Sequence, residues 1–295
     1  MIFMSQPGFS GGLAPRRAVD GRILPPVRQN SGGRARPRDL EQKLAALQKD
    51  YAELHTALFE AAQVHRRLCA PRLVRHGNFE IASEIFAVRQ LPGDFFTAQE
   101  GAGGVILAFG DICGKGLAAG MWVTHLAALV GTHTAASCEP QAIVAAVNRD
   151  LCRLSSLMPL ASLFLAKLDP FTGTLDYSSA GHPPALLLRA SGEMESLSEG
   201  GPLLAVVPSA SFTQGRMKLH PGDVLMAYSD GVLDSSNDAG DYFGLERLKR
   251  QLRQAANSSA DTALFSILGA VQDFAHGRPL EDDLSLVVVR HVTVV

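Results

Sequence analysis

Four stretches of this chain bring an aspartate to the end of an apolar run, and aspartates gathered that way are suited to holding hard cations. In V-I-L-A-F-G-D-I-C-G-K-G (Val105–Gly116), five apolar residues lead into Gly110-Asp111, with Gly114 and Gly116 behind. Asp230 closes V-L-M-A-Y-S-D-G, Asp282 and Asp283 open onto L-S-L-V-V-V, and Asp94 follows Pro92-Gly93. Each alone has an ordinary reading: Asp111 as a turn or cap residue, Asp230-Gly231 as a hairpin turn. Four such places in one chain raise a different expectation. Carboxylates ~4 Å apart repel by about 4 kcal/mol per pair at an effective dielectric of 20, so a converged set needs bound cations. An all-oxygen set without His or Cys partners favours Mg²⁺ or Mn²⁺ over zinc.

The elements that must deliver these carboxylates are legible from periodicity. Val105–Phe109 is rich in β-formers and too short for a buried helix, which predicts a strand. Residues 79–90 read as another strand ending at Leu91–Phe96, and Gly101–Gly104 as a turn that pairs it antiparallel with Val105–Phe109. Helices are expected over Leu117–Ala136, Pro140–Ser155, Leu245–Ala256 and Asp261–His276. Strands are expected over Ala161–Leu168, Thr174–Ser179, Ala185–Arg189, Val224–Ser229 and Leu284–Val294, with 190–215 as loop. Strand pairs with short turns, interrupted by helix pairs, predict an α+β fold with mostly antiparallel sheets.

Residues 1–38 are dense in Gly, Pro and Ser, with seven arginines against a lone Asp20. So little apolar content predicts a disordered basic tail. Leu40, Leu44, Leu47, Tyr51, Leu54, Leu58, Ala61, His65 and Leu68 then alternate steps of four and three. That 3.5-residue period predicts a coiled-coil, dimerising helix over 39–70, capped by Asp39 and stopped by Pro71. The other reading is an amphipathic helix packed on its own domain, which would occupy 71–295.

Net charge of −2 gives no reason to expect nucleic acid or a membrane surface as partner. The four cysteines show no C-x-x-C spacing and no signal peptide is in view, so reduced thiols and a cytoplasmic location are expected. Two phosphate motifs fail on their own mechanics. Cys69 to Arg75 satisfies C-x5-R but follows a helix, lacks glycine and loses an N–H to Pro71. Gly110–Gly116 has only three residues before Gly114-Lys115 and no Ser or Thr after the lysine, so it is no P-loop.

Taken in order, G-D-F-F (Gly93–Phe96), G-D-I-C-G-K-G (Gly110–Gly116), S-A-G-H-P-P (Ser179–Pro184), S-D-G-V (Ser229–Val232) and E-D-D-L-S-L (Glu281–Leu286) form a pattern. It resembles the PP2C-type (PPM) serine/threonine phosphatases, most closely their bacterial SpoIIE/RsbU-like branch of sigma-factor partner-switching pathways. The resemblance covers roughly residues 70–292. It implies an αββα sandwich of two mainly antiparallel sheets flanked by helices, with two Mn²⁺ or Mg²⁺ ions between the sheets at one edge. Carried over by motif, Asp111 bridges both ions and the backbone carbonyl of Ile112 binds one. Asp230 and Asp282 hold the other, and Asp94 acts directly or through water. The chain departs from the pattern at Leu91-Pro92 (usually Val-Gly), Thr97 (commonly Asp) and Ser285 (usually Thr).

The implied reaction is hydrolysis of a phosphoserine or phosphothreonine by water activated between the ions, without a protein nucleophile. Cys113 is then a packing residue, Lys115 a solvated lysine or a phosphate contact, and His182 a structural residue or a general acid. The expected partners are a phosphorylated STAS-type anti-sigma-factor antagonist, a second copy of the chain, and a regulator gripping the coiled coil. The alternative is a catalytically weak pseudophosphatase that acts as a binding module.

Overall fold

The structure, a computed structural model, describes residues 37–69, 72–101, 103–137, 139–154 and 159–292. Residues 1–36 of the expected basic tail lie outside them. The chain divides between Tyr51 and Ala52 into two units. The described part of the first is helical, the start of α1 (Pro37–Cys69), and Leu40, Leu44, Leu47 and Tyr51 are all exposed there.

The second unit continues with the rest of α1, then β1 (Leu73–His76), β2 (Phe79–Phe86), β3 (Asp94–Gly101) and β4 (Gly104–Ile112). The helices α2 (Leu117–Ala136) and α3 (Pro140–Arg153) follow. Then come β5 (Ala161–Leu168), β6 (Thr174–Ala180), β7 (Ala185–Leu188), β8 (Met194–Leu197), β9 (Gly200–Gly201), β10 (Gly215–Lys218) and β11 (Val224–Tyr228). The chain closes with α4 (Asp230–Asp234), α5 (Gly244–Ala255), α6 (Ala260–Phe274) and β12 (Leu284–His291).

One sheet runs β1-β2-β12-β11-β7-β8, the other β10-β6-β5-β4-β3. All pairings are antiparallel except the two-residue β6–β9 contact. Period-two alternation explains the layers. Val105, Leu107 and Phe109 of β4 meet Leu225, Ala227, Val287 and Val289 between the sheets. Their neighbours Ile106, Ala108 and Ile112 face α2 and α3. On the other sheet, Met226, Leu284, Leu286 and Val288 face α5 and α6. The expected αββα sandwich is the result.

The local expectations hold for α2 and β5 to the residue, and three others are corrected. The antiparallel partner of β4 is β3, through the Gly101–Gly104 turn, while β2 lies in the opposite sheet between β1 and β12. Residues 190–215 contain strands, β8, β9 and the start of β10. Asp230-Gly231 opens the short helix α4 instead of a hairpin. Toward its end α1 packs on its own unit: His65 and Cys69 are buried, and Cys69 joins the core under α2.

Candidate metal centre

Asp94 and Asp111 are register partners on β3 and β4. They continue the inward-facing series Phe96 and Val105-Leu107-Phe109, so both carboxylates face the space between the sheets at its open end. The same parity runs along β12, where Asp283 precedes Ser285, Val287 and Val289, and along β11, where Ser229 follows Leu225 and Ala227. Asp230 stands one residue beyond Ser229, at the start of α4. Both sheets therefore deliver carboxylates to one edge.

The electrostatics record that crowding. Asp94 is 1% exposed, and burial first, then the Asp111 charge, holds its carboxyl well above the usual range. Its Oδ2 is buried and lacks a hydrogen bond of good geometry, although the Ser285 and Ser229 hydroxyls lie near enough to the carboxyl to offset part of that rise. Asp111 is pushed up to about 6 by burial and by the charges of Asp230, Asp282 and Asp283. Asp230 is raised by burial and by Asp282. A buried orphan carboxylate oxygen costs several kcal/mol unless a proton or cation meets it.

Asp283 has a different task. Its Oδ1 accepts the Val88 N–H at 2.8 Å and its Oδ2 the Gly93 N–H at 2.7 Å. The Ser229 hydroxyl donates to the Asp283 carbonyl at 3.1 Å, and the Ser285 N–H returns to that hydroxyl at 3.1 Å. Asp283 thus clamps the loop that carries Asp94. Sequence reasoning grouped it with Asp282; the inward parity of Ser285, Val287 and Val289 was the signal that separates them. Asp282 is half-exposed, with Oδ2 on Lys115 Nζ at 2.9 Å. Lys115 also donates to the Glu281 carbonyl.

Glycine 93 is demanded by this packing. A Cβ there would sit 2.9 Å from Asp111 Oδ1, 2.9 Å from the Ile112 carbonyl and 3.1 Å from the Gly114 carbonyl. Three oxygens converge where only hydrogen fits, and the Ile112 N–H donates to the Gly93 carbonyl at 3.1 Å. In this arrangement no three His, Cys, Asp or Glu side chains among the described residues stand within common reach of one ion. Asp282 turns onto Lys115 and Asp283 is committed to backbone. The donor chemistry nevertheless fits a hard cation: carboxylate and carbonyl oxygens, one of them buried and unpartnered.

The other candidates sort clearly. His182 is buried between Phe109 and Phe164, and its Nδ1–H donates to the Pro183 carbonyl at 2.9 Å. Burial lowers it to about 4, which favours the structural residue over the general acid. The exposed Cys113 thiol is raised by partial burial and by Asp111 and Asp230, which disfavours the thiolate. Thr97 is buried on β3 opposite Ala108. Cys69, Cys113 and Cys152 are free.

A two-sheet sandwich between helix layers, with aspartates from both sheets at one edge, defines a PP2C-like domain. Residues 101–292 match the family described as Stage II sporulation protein E (SpoIIE), and the chain belongs to that family. Among curated relatives, Protein IcfG of Synechocystis is 27% identical over 219 residues, 65% of this chain and 34% of that protein. Phosphoserine phosphatase RsbU of Bacillus subtilis is 23% identical over 244 residues, 81% of this chain and 71% of RsbU. The chain thus spans about a third of IcfG. Among solved structures, the SiaA-PP2C domain of Pseudomonas aeruginosa superposes with a TM-score of 0.71 at 19% identity, over 83% of this chain and 99% of that one. The catalytic domain of serine/threonine phosphatase PstP, in complex with two manganese ions, gives 0.54 at 17% identity, over 73% and 99%. No helix among the described residues is long and apolar enough to cross a membrane.

Proposed function

We propose that this chain is a divalent-metal-dependent protein phosphatase acting on phosphoserine or phosphothreonine. The observation that carries the proposal is the Asp94–Asp111 register pair, Asp94 buried and Asp111 part-buried, with the charges of Asp230 and Asp282 acting on Asp111. Asp111 and the Ile112 carbonyl, with Asp94, would hold one Mn²⁺ or Mg²⁺, and Asp111, Asp230 and Asp282 a second. Two such ions lower the pKa of an attacking water and neutralise the phosphoryl oxygens. The chain's own part is to fix the ligands: Asp283 pins the Gly93 and Val88 amides, and the Ser229 hydroxyl ties Asp283 to β11 and β12. No side-chain nucleophile is required, in keeping with the raised Cys113 thiol.

The proposed substrate is the phosphoserine or phosphothreonine of a STAS-type antagonist in a partner-switching pathway, as the motif resemblance implies; the likeness to RsbU, named a phosphoserine phosphatase, supports the phosphoserine part. Control would enter through α1, as a dimer seam along Leu40, Leu44, Leu47, Tyr51 and Leu54, all exposed, or through a regulator gripping it. The test is phosphate release from a kinase-phosphorylated STAS domain with Mn²⁺. Failure on such domains alongside good turnover of phosphotyrosine peptides or nucleotides contradicts the substrate assignment. One observation favours a second reading, a binding module of low activity: the Lys115 ammonium already neutralises Asp282.

A further inference from the structure

A cavity of about 270 Å³ opens beside the carboxylates, lined by Asp230, Asp282 and Lys115 together with Ser236, Tyr242 and Arg278. Its far wall is built, not slack. Ser236 and Tyr242 bridge, the Asn237 side-chain oxygen accepts the Ala239 and Asp241 amides at 3.0 and 2.9 Å, and the Phe243 N–H donates to Ser235 at 2.8 Å. Beyond α6, His276 and Gly277 take successive left-handed conformations (φ 49° and 77°), which turn the chain back so that Arg278 faces this loop. Arg278 Nη1 donates to the Ser236 hydroxyl at 3.0 Å and the Asn237 carbonyl at 2.8 Å. Its other amino group meets the exposed Glu281 carboxylate at 3.5 Å, its ion-pair partner among the described residues.

An exposed pair at that distance contributes little and exchanges readily. Tyr242 projects beside it, 63% exposed, with its backbone carbonyl held by Arg247 at 2.9 Å. A preorganised arginine with an exchangeable partner and an exposed tyrosine on a fixed loop are the side chains that dominate recognition hot spots. The cavity is too small for a folded domain, but it is continuous with Asp230 and Asp282.

We propose that this cavity receives the segment flanking the phosphorylated residue. Arg278 grips an anionic oxygen group of that segment in place of Glu281, and Tyr242 packs against its backbone. The group is either the phosphoryl itself or a neighbouring carboxylate. This rests on the phosphatase reading, because the cavity is assigned by its continuity with the proposed ligands.

The test measures binding of a fluorescent peptide bearing a non-hydrolysable phosphonate analogue of phosphoserine, by anisotropy, to the full chain with Mn²⁺. Arg278→Gln should weaken binding about tenfold, the usual scale for a hot-spot arginine, and Tyr242→Ala in the same direction. Peptides with and without a flanking glutamate separate the two sources: an equal loss assigns the phosphoryl group, a loss confined to the acidic peptide the carboxylate. Tyr242→Ala also decides the matter if Arg278→Gln lowers the melting temperature, since the tyrosine is 63% exposed and its hydrogen-bonded ties to the loop run through its backbone. Unchanged affinity in Tyr242→Ala and in folded Arg278→Gln overturns the proposal. Turnover of p-nitrophenyl phosphate by the parent, measured alongside, reports on the phosphatase reading separately. Its absence with variant-sensitive binding sinks that reading alone.

Discussion

Asp283 Oδ2 accepts the amide of Gly93 at 2.7 Å across 190 residues of sequence, tying the start of β12 to the loop that sets Asp94. With Val88 N–H on its other oxygen, the carboxylate satisfies two backbone donors of one loop. Asp283→Ala takes this partner from a buried donor at Gly93 and a part-buried one at Val88. It should cost about 3 kcal/mol of stability, at about 1–3 kcal/mol per unmet donor. Urea denaturation checks this, and hydrogen exchange should quicken first at Val88 and Gly93.

The carboxylate cluster makes a pH prediction of fixed sign. Asp111 titrates near 6 in the fold against ~3.9 unfolded, so the native state binds its proton more tightly. Its contribution is therefore fully present below pH ~4 and is lost as pH rises toward 6, by up to about 3 kcal/mol. In EDTA-treated protein, Asp111→Asn should thus match the parent near pH 4 and exceed it in stability at pH 7. Denaturant midpoints of the two proteins at both pH values decide it: groups that do not feel Asp111 cancel in the difference, and relief of Asp94, which the Asp111 charge raises, acts in the same direction. A variant less stable than the parent at pH 7 contradicts the crowding described here.

Much of this site was legible in the sequence, and what was not has physical causes. Asp111, Asp230 and Asp282 were visible because each abuts an apolar strand, a signal carried within ten residues. The pairing of β3 with β4 was missed because D-F-F-T-A-Q-E-G carries polar residues on its outer positions and reads weakly as a strand; only the Asp94–Asp111 register reveals its partner. The separate tasks of Asp282 and Asp283 depend on which way each side chain faces, and a strand start fixes that only once its inner face is known. His182 stayed ambiguous between acid and packing residue until Phe109 and Phe164 were seen against it.

Gly93→Ala tests the convergence of oxygens directly. A methyl group 2.9 Å from both Asp111 Oδ1 and the Ile112 carbonyl must push one aside. Mn²⁺ affinity by calorimetry should fall about tenfold or more, a loss of ~1.4 kcal/mol, with the far-ultraviolet circular dichroism unchanged. Parent-like affinity would remove Asp111 and Ile112 from the ligand set.

The exposed stripe of α1 predicts a dimer in solution. Leu47 and Leu54 are 66% and 60% exposed, a costly arrangement for apolar side chains left in water. Sedimentation of the parent should give twice the chain mass, and Leu47→Asp with Leu54→Asp should halve it, since charge at seam positions is strongly unfavourable. A monomeric parent ends the coiled-coil proposal.

If these aspartates hold the cations of a phosphatase, phosphate release from a phosphoserine peptide reports on them most directly. Turnover should require Mn²⁺ or Mg²⁺, stop with EDTA, return on adding excess Mn²⁺, and fall by about a thousandfold or more in Asp111→Asn, the scale of losing a principal electrostatic element of a site. Turnover indifferent to EDTA, or retained by Asp111→Asn, would contradict that role.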